Sequence, residues 1–261
     1  MKLLWCSDVH LNFLTEVKRR EFHHEIINKN VDAVVISGDI AESHNIVQLV
    51  TDMQDHVDVP VYFVCGNHDF YGSSIAQVKR SVKTLGYLSS AKIVALNAST
   101  ALVGVDGWGD CRYGDYENSR LTMSDWLYID DLRKGYGKGM DELRVTLQAL
   151  ADKDAADLAK KVRSAIKAGH TKIFIVTHVP PFEEACLHAG KKSTPSGLPF
   201  FASKILGETI LPIVKKNPQI EFIWLSGHTH SRAEYVPIPN LTVKVAHSEY
   251  YFPQIEQIFE V

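Results

Sequence analysis

Short apolar runs alternate with amphipathic stretches along most of this chain, and no other feature limits its fold as much. Leu3–Cys6, Ala33–Ser37, Val61–Cys65, Ala101–Val105, Lys172–Thr177 and Phe222–Ser226 are rich in Val, Ile and aromatic residues and read as strands. Between them, helices are expected over Leu14–Asn28, Ser43–His56, Ser73–Leu85 and Asp141–Lys167. In the last of these, Leu143, Leu147, Leu150, Leu158, Val162 and Ile166 recur at mostly helical spacing, with charges on what should be the solvent side. A run of strands follows: Arg232–Val236, Leu241–Ala246 and Gln254–Val261, the first two joined by a turn over Pro237–Asn240. Strands alternating with helices and then a run of strands imply an α/β protein with mixed sheets. A length of 261 residues suits one elaborated domain, with a loop and helical insertion at about 106–170.

The polar blocks fall where such a fold puts its sites. Asp8, Asp39, Asn67, His178 and His228 each come within two residues after an apolar run, and in α/β sheets ligand sites gather beyond the carboxyl ends of strands. Singly, an Asp after a strand is most often a turn or cap residue, and a His a satisfied polar group. Five blocks together are different: Asp8-Val9-His10, Gly38-Asp39, Gly66-Asn67-His68-Asp69, His178 and Gly227-His228-Thr229-His230. They carry carboxylate, amide and imidazole ligands, a mixture that favours transition metals over Mg2+ or Ca2+. The one-residue spacing in Asp8/His10 and His228/His230 lets both members face one side of an extended chain. His23, His24, His44, His56, His170 and His247 belong to no block and receive no role.

The order D-x-H, G-D, G-N-H-D, H, G-H-x-H, running from Asp8 to His230, resembles the calcineurin-like metallophosphoesterase superfamily. The resemblance implies a four-layer αββα sandwich of two mixed sheets, with two metal ions at the carboxyl ends of the strands. It assigns Asp8, His10, Asp39 and His230 to one ion and Asp39, Asn67, His178 and His228 to the other, with Asp39 as the bridge. His68 would face the substrate and protonate the leaving group, and Asp69 would orient the loop. Mn2+ is the foremost candidate metal; Fe, Zn, Ni and Co also suit the ligands. Such a pair activates a water for attack on phosphorus, and two divalent ions against two carboxylates leave about two positive charges for a phosphate to meet.

One departure bears on the substrate. Phosphoprotein phosphatases of the superfamily read G-D-x-x-D-R at the second block, whereas this chain reads Gly38-Asp39-Ile40-Ala41-Glu42-Ser43. Glu42 could still orient His68, but Ser43 removes a guanidinium that grips a monoester dianion in bidentate fashion. The expectation is therefore a phosphodiesterase acting on a small or nucleotide-like substrate. Alternatives are a phosphomonoesterase or protein phosphatase, then a nuclease or a non-catalytic scaffold. Arg112 and Tyr113, in the Gly- and aromatic-rich loop from Asp106 to Tyr116, are candidate substrate contacts; the plainer reading is that Trp108, Tyr113 and Tyr116 pack the loop down and Arg112 forms an ion pair. His188, Lys191 and Lys192 lie in a second loop that can overhang the site, and a solvated loop is the plainer reading there.

The formal charge of −3 provides no global field for a polyanion such as DNA. Cys6, Cys65, Cys111 and Cys186 form no CxxC pair and suit a reducing cytoplasm. The apolar start, Met1–Cys6, is too short for a secretory signal and reads as the first core strand, and no run is long enough to span a membrane. The oligomeric state is not legible.

Overall fold

The computed structural model describes residues 1–261. Its elements are, in order, β1 (Lys2–Cys6), α1 (Glu16–Asn28), β2 (Ala33–Ser37), α2 (Ile46–Val57), β3 (Val61–Val64), α3 (Ile75–Ser81), β4 (Val94–Ala95), β5 (Thr100–Gly104), α4 (Asp125–Tyr128), α5 (Asp130–Tyr136) and α6 (Met140–Lys167). There follow β6 (Lys172–Val176), β7 (Leu187–His188), β8 (Lys191–Lys192), α7 (Leu198–Phe201), α8 (Lys204–Lys215), β9 (Glu221–Ser226), β10 (Ala233–Ile238), β11 (Leu241–Val245) and β12 (Gln257–Glu260). Strands β12-β1-β2-β3 form one sheet and β10-β11-β9-β6-β5-β4 a second, with β7-β8 a separate hairpin. Both large sheets are mixed. Their inner strands run parallel, and β12, β10 and β4 are antiparallel edges.

Side-chain alternation turns these sheets into four layers. In β1, Leu3 and Trp5 face one way and Leu4 and Cys6 the other, as the two-residue period of a strand requires. Leu3, Trp5, Val35 and Val64 of the first sheet meet Leu102, Phe174, Ile223 and Leu225 of the second in a dry core between the sheets. Leu4, Cys6, Val34, Ile36 and Phe63 pack outward against Phe22, Ile26, Leu49 and Met53 of α1 and α2. On the other side, Val103, Ile175 and Trp224 pack against Leu158 and Val162 of α6 and Leu206 and Ile210 of α8. The result is the expected αββα sandwich.

Several boundaries differ from the expected ones, for local reasons. α1 begins two residues late because the Thr15 hydroxyl accepts from Lys18 N (3.4 Å) and caps it. α2 begins at Ile46, since the Asn45 side chain accepts from Glu42 N (3.1 Å) and holds a turn ahead of it. Ser74 caps α3 and the helix ends at Ser81. Pro237 does not stop β10, which lies at a sheet edge where a missing N–H is tolerated, with a shift of register between Tyr235 and Ile238. α8 is not among the helices expected from the sequence; Gly207 and Pro212, both poor helix formers, lie inside it. Gly207 is there for contact: a Cβ would come within 2.5 Å of the Pro181 carbonyl and 2.7 Å of the Phe182 ring.

α6 departs from a simple amphipathic helix. Leu143 and Leu147 join the first outer core, and Leu158 and Val162 the other, so the helix serves both. Its charges are not all on the solvent side. Lys161 is buried and donates to the carbonyls of Leu88, Ser89 and Gly104 at 2.9–3.0 Å. Asp154 is buried too, accepting from Gly107 N (3.0 Å) and lying 3.8 Å from Lys79 Nζ. Lys79 in turn pairs with Asp106 at 2.7 Å. No helix is long and apolar enough to cross a membrane.

Candidate metal centre

Backbone pairing that outlasts the strands brings the polar blocks together. Past the ends of β1 and β2, Asp8 N donates to the Gly38 carbonyl (2.9 Å), His10 N to Asp39 (3.1 Å) and Leu11 N to Ile40 (2.8 Å). In the second sheet, His178 N donates to the Asp106 carbonyl (2.7 Å) and Gly227 N to that of His178 (2.9 Å). The chain is not extended here, as the one-residue spacing had implied. Asp8, His10, Asp39, His228 and His230 all take left-handed φ values, of 50°, 40°, 52°, 70° and 53°. Asp and His tolerate that region better than most residues, yet it still stores roughly 1–3 kcal/mol at each. These kinks turn the side chains inward. Gly38 and Gly66 make room, since a Cβ on either would overlap the His178 ring and, for Gly66, the Asp39 carboxylate; one on Gly227 would overlap Asp8.

Two groups of ligand-type atoms result. Single ligand atoms of Asp8, His10, Asp39 and His230 all lie within 4.8 Å of one another. Beside them, Asn67 Oδ1 is 3.0 Å from both His178 Nε2 and His228 Nδ1, these two nitrogens are 3.2 Å apart, and His178 Nε2 is 3.5 Å from Asp39 Oδ2. Asp39 touches both groups. The far sides of the rings are fixed. His178 Nδ1 donates to the Ser37 carbonyl (2.8 Å) and His228 Nε2 to that of Phe200 (3.3 Å), which aims the other nitrogen of each ring at the cluster, where it can carry a proton or an ion. The Asn67 amide donates to Asp125 Oδ1 (2.9 Å), which turns its oxygen inward. Both nitrogens of His10 are buried without a hydrogen-bond partner, as suits a ring whose partner is a cation.

The electrostatics point the same way. Burial alone would raise the Asp39 carboxyl, but His178 and His68 outweigh it and hold it well below the ordinary value. Asp8 is likewise lowered, His178 and His230 prevailing over burial. Burial would lower His178, yet the two carboxylates, Asp39 foremost, raise it to about 10. Burial lowers His10 to about 4, and burial with the neighbouring His178 takes His228 to about 3. The field thus keeps the acids ionised and draws positive charge to the middle of the cluster, where a divalent ion is better suited than a proton.

His68 stands at the rim, its Nε2 4.0 Å from Asp39 Oδ2, its ring stacked on Tyr71 with centroids 4.4 Å apart. Glu42 does not orient it: Glu42 faces His44 at 3.7 Å, and His68 Nδ1 has no partner. Asp69 does hold the loops, accepting from Ile40 N, Ala41 N and Gly66 N at 2.7–2.9 Å. The rim opens into a cleft of about 360 Å³ bordered by Tyr71, Thr122, Ser124, Phe201, His188 and Tyr250 among others. Arg112 and Tyr113 do not border it. The Arg112 guanidinium is taken up by Asp110 (3.1 Å) and Asp152 (2.8 Å), and Tyr113 packs against Cys186, Leu198 and Ala202, so neither side chain is available for a substrate there. Lys191 and Lys192 are exposed in the β7–β8 hairpin and do not themselves border the cleft, although Lys191 pairs with His188, which does.

Two contributors escaped the sequence reading. Asp125 lies in no motif and meets Asn67 only through the tertiary fold. Tyr250 had a usable signal: it follows β11, whose carboxyl end opens on the same side as the others, and its ring lies 4.6 Å from that of His10.

Comparison with known proteins agrees with this picture. The sequence model described as calcineurin-like phosphoesterase matches residues 1–232. A search of curated proteins by sequence finds no match. Among solved structures, the chain is similar to a dimetal phosphatase from Danio rerio (16% identity, TM-score 0.59, covering 94% of this chain and 86% of that one). It is also similar to the phosphopantetheinyl hydrolase of Mycobacterium tuberculosis (11%, 0.67, 97% and 95%) and to the protein TT1561 of Thermus thermophilus (11%, 0.53, 94% and 88%). At these identities the likeness is one of fold.

Proposed function

This chain belongs to the calcineurin-like phosphoesterase family, and from that premise we propose that it hydrolyses a phosphodiester in a small or nucleotide-like substrate. Metal-dependent phosphoester hydrolysis is what the family brings. The diester preference rests on one observation: no Lys or Arg borders the cleft. Ser43 stands where the protein phosphatases of the superfamily carry Arg, and its hydroxyl donates to the Tyr71 carbonyl (2.6 Å). A monoester dianion would find no guanidinium there, whereas a diester with one negative charge needs less compensation.

Asp8, His10, Asp39 and His230 would hold one divalent transition ion, and Asp39, Asn67, His178 and His228 the other, Mn2+ being the first candidate. When bound, the pair would polarise the phosphoryl oxygens and lower the pKa of a water to make the nucleophile. The chain's own groups do the rest. His68, held flat against Tyr71 at the rim, protonates the departing oxygen. Asp125 keeps the Asn67 oxygen turned inward. Tyr71, Phe201 and Tyr250 give the organic part of the substrate aromatic walls. All 261 residues act in this reading as one domain, and the four unpaired, buried cysteines support a cytoplasmic setting.

The test is the ratio of kcat/KM on bis(p-nitrophenyl) phosphate to that on p-nitrophenyl phosphate, at equal Mn2+ loading, with 2′,3′- and 3′,5′-cyclic nucleotides and phosphopeptides beside them. Higher efficiency on diesters across the panel is expected. Higher efficiency on monoesters would overturn the diester reading and leave the dinuclear site standing.

A further inference from the structure

On the outer face of the first sheet, α1 and α2 bring three ligand-type side chains together. His23 lies on the inner side of α1, beside Phe22 and Ile26 in the sequence of buried positions. Asp52 and His56 are one turn apart on α2, so they share a face. Single ligand atoms of all three lie within 4.8 Å of one another.

His23 is what makes this more than a chance meeting. Its ring is 1% exposed, and neither nitrogen has a hydrogen-bond partner. A buried imidazole left so costs roughly 1–3 kcal/mol of desolvation, and burial holds it neutral, taking its pKa down to about 4. A neutral ring with a free lone pair is a ligand in waiting. His56 is prepared in a complementary way. Its Nδ1 donates to the Asp52 carbonyl at 2.6 Å, which fixes the tautomer and leaves the Nε2 lone pair free. Its ring centroid is 5.4 Å from that of His23. Asp52 adds a carboxylate, and with Asp52 and His56 each more than a third exposed, an ion can enter from solvent and keep a water as its fourth ligand.

We infer that the seam between α1 and α2 is a separate divalent-cation site, in which His23, Asp52 and His56 bind a borderline transition ion such as Zn2+. Neighbouring ligand atoms around tetrahedral Zn2+ sit roughly 3.4 Å apart, given bonds of about 2.0–2.1 Å. The three ligand atoms, within 4.8 Å of one another, would draw together by about an ångström around such an ion. Two imidazoles and one carboxylate suit Zn2+, Co2+ or Ni2+ far better than Mg2+ or Ca2+. The role is structural. α1 follows the loop that carries Asp8 and His10, α2 follows the loop that carries Asp39, and the ion would staple the two helices together.

The experiment counts ions by difference, so it does not depend on how many the other cluster holds. Full-length wild type, Asp52→Asn and His56→Ala are dialysed against Zn2+, and bound metal is measured by elemental analysis. Both substitutions fall on part-exposed positions of α2, and circular dichroism with EDTA present checks that they fold. Each variant is expected to bind one ion fewer than wild type, to lose the visible absorption of one tetrahedral centre after Co2+ substitution, and to keep wild-type turnover of phosphoesters. A Zn2+-induced rise in Tm should be smaller in both. Equal metal counts in wild type and variants would overturn the proposal, as would loss of an ion accompanied by loss of turnover, which would place the vanished ion in the other cluster.

Discussion

At the scale of single residues, the site is a set of left-handed positions whose side chains are held in place by their neighbours. Asp39 touches both groups of ligand atoms, so Asp39→Ala is expected to lower metal content and abolish turnover together; full occupancy with activity would refute its bridging role. His68 should behave differently. His68→Ala is expected to keep its metals and lose about 10²–10⁴ in rate, with the smallest loss on diesters whose leaving groups need no proton. Asp125 acts through Asn67: Asp125→Ala frees the amide to turn, and metal affinity should fall about 10–100-fold, seen as a higher Mn2+ requirement with near-normal kcat at saturation. That Asp8, His10, Asp39, Asn67, His178, His228 and His230 lie together was legible from blocks that follow strand ends and from their resemblance to the family's pattern. Asp125 was not, because its partner Asn67 is 58 positions away and nothing local marks the pair.

At the scale of elements, the sequence revealed strands better than helices. A buried strand must be apolar on both faces, and β2 shows it in four consecutive apolar residues, Ala33–Ile36, before Ser37. α8 was hidden because Gly207 and Pro212 carry strong local penalties that tertiary contact overrides. Gly207→Ala should therefore destabilise despite raising helix propensity, by roughly 1–3 kcal/mol from overpacking against Pro181 and Phe182, read as a lower Tm. α6 concealed something else: charges that read as a solvated face include Asp154, which burial raises to about 6 against the pull of Lys79. The folded chain then keeps this proton to higher pH than the unfolded chain, whose Asp releases it near about 3.9. Its contribution to stability is full below that value and is lost as pH rises through about 6. The Tm of wild type relative to Asp154→Asn is thus expected to fall between pH 4 and pH 6, and a flat difference would refute the shift.

At the scale of the whole molecule, the two sheets are tied by the dry core between them and by the polar cluster, to which Asp8, His10, Asp39 and Asn67 come from the first sheet and His178, His228 and His230 from the second. Metal removal should be felt globally. With free ion at a hundredfold excess over Kd, each bound ion adds about 2.7 kcal/mol, and each kcal/mol shifts Tm by roughly 2–4 °C in a chain of this size. EDTA is therefore expected to lower Tm by several degrees, and Mn2+ to restore it, in a scan by calorimetry. The pairing of β1 with β12, Lys2 against Glu260 and Trp5 against Gln257, sets when such a centre can exist at all. During synthesis Asp8 emerges early, but His228 and His230 come more than two hundred residues later, and the edge of β1 stays open until β12 arrives to cover it. On the proposed ligand set a growing chain cannot assemble this centre piecemeal: a ribosome-bound fragment short of residue 228 is expected to bind no metal at this site and to be inert, whatever ion is supplied.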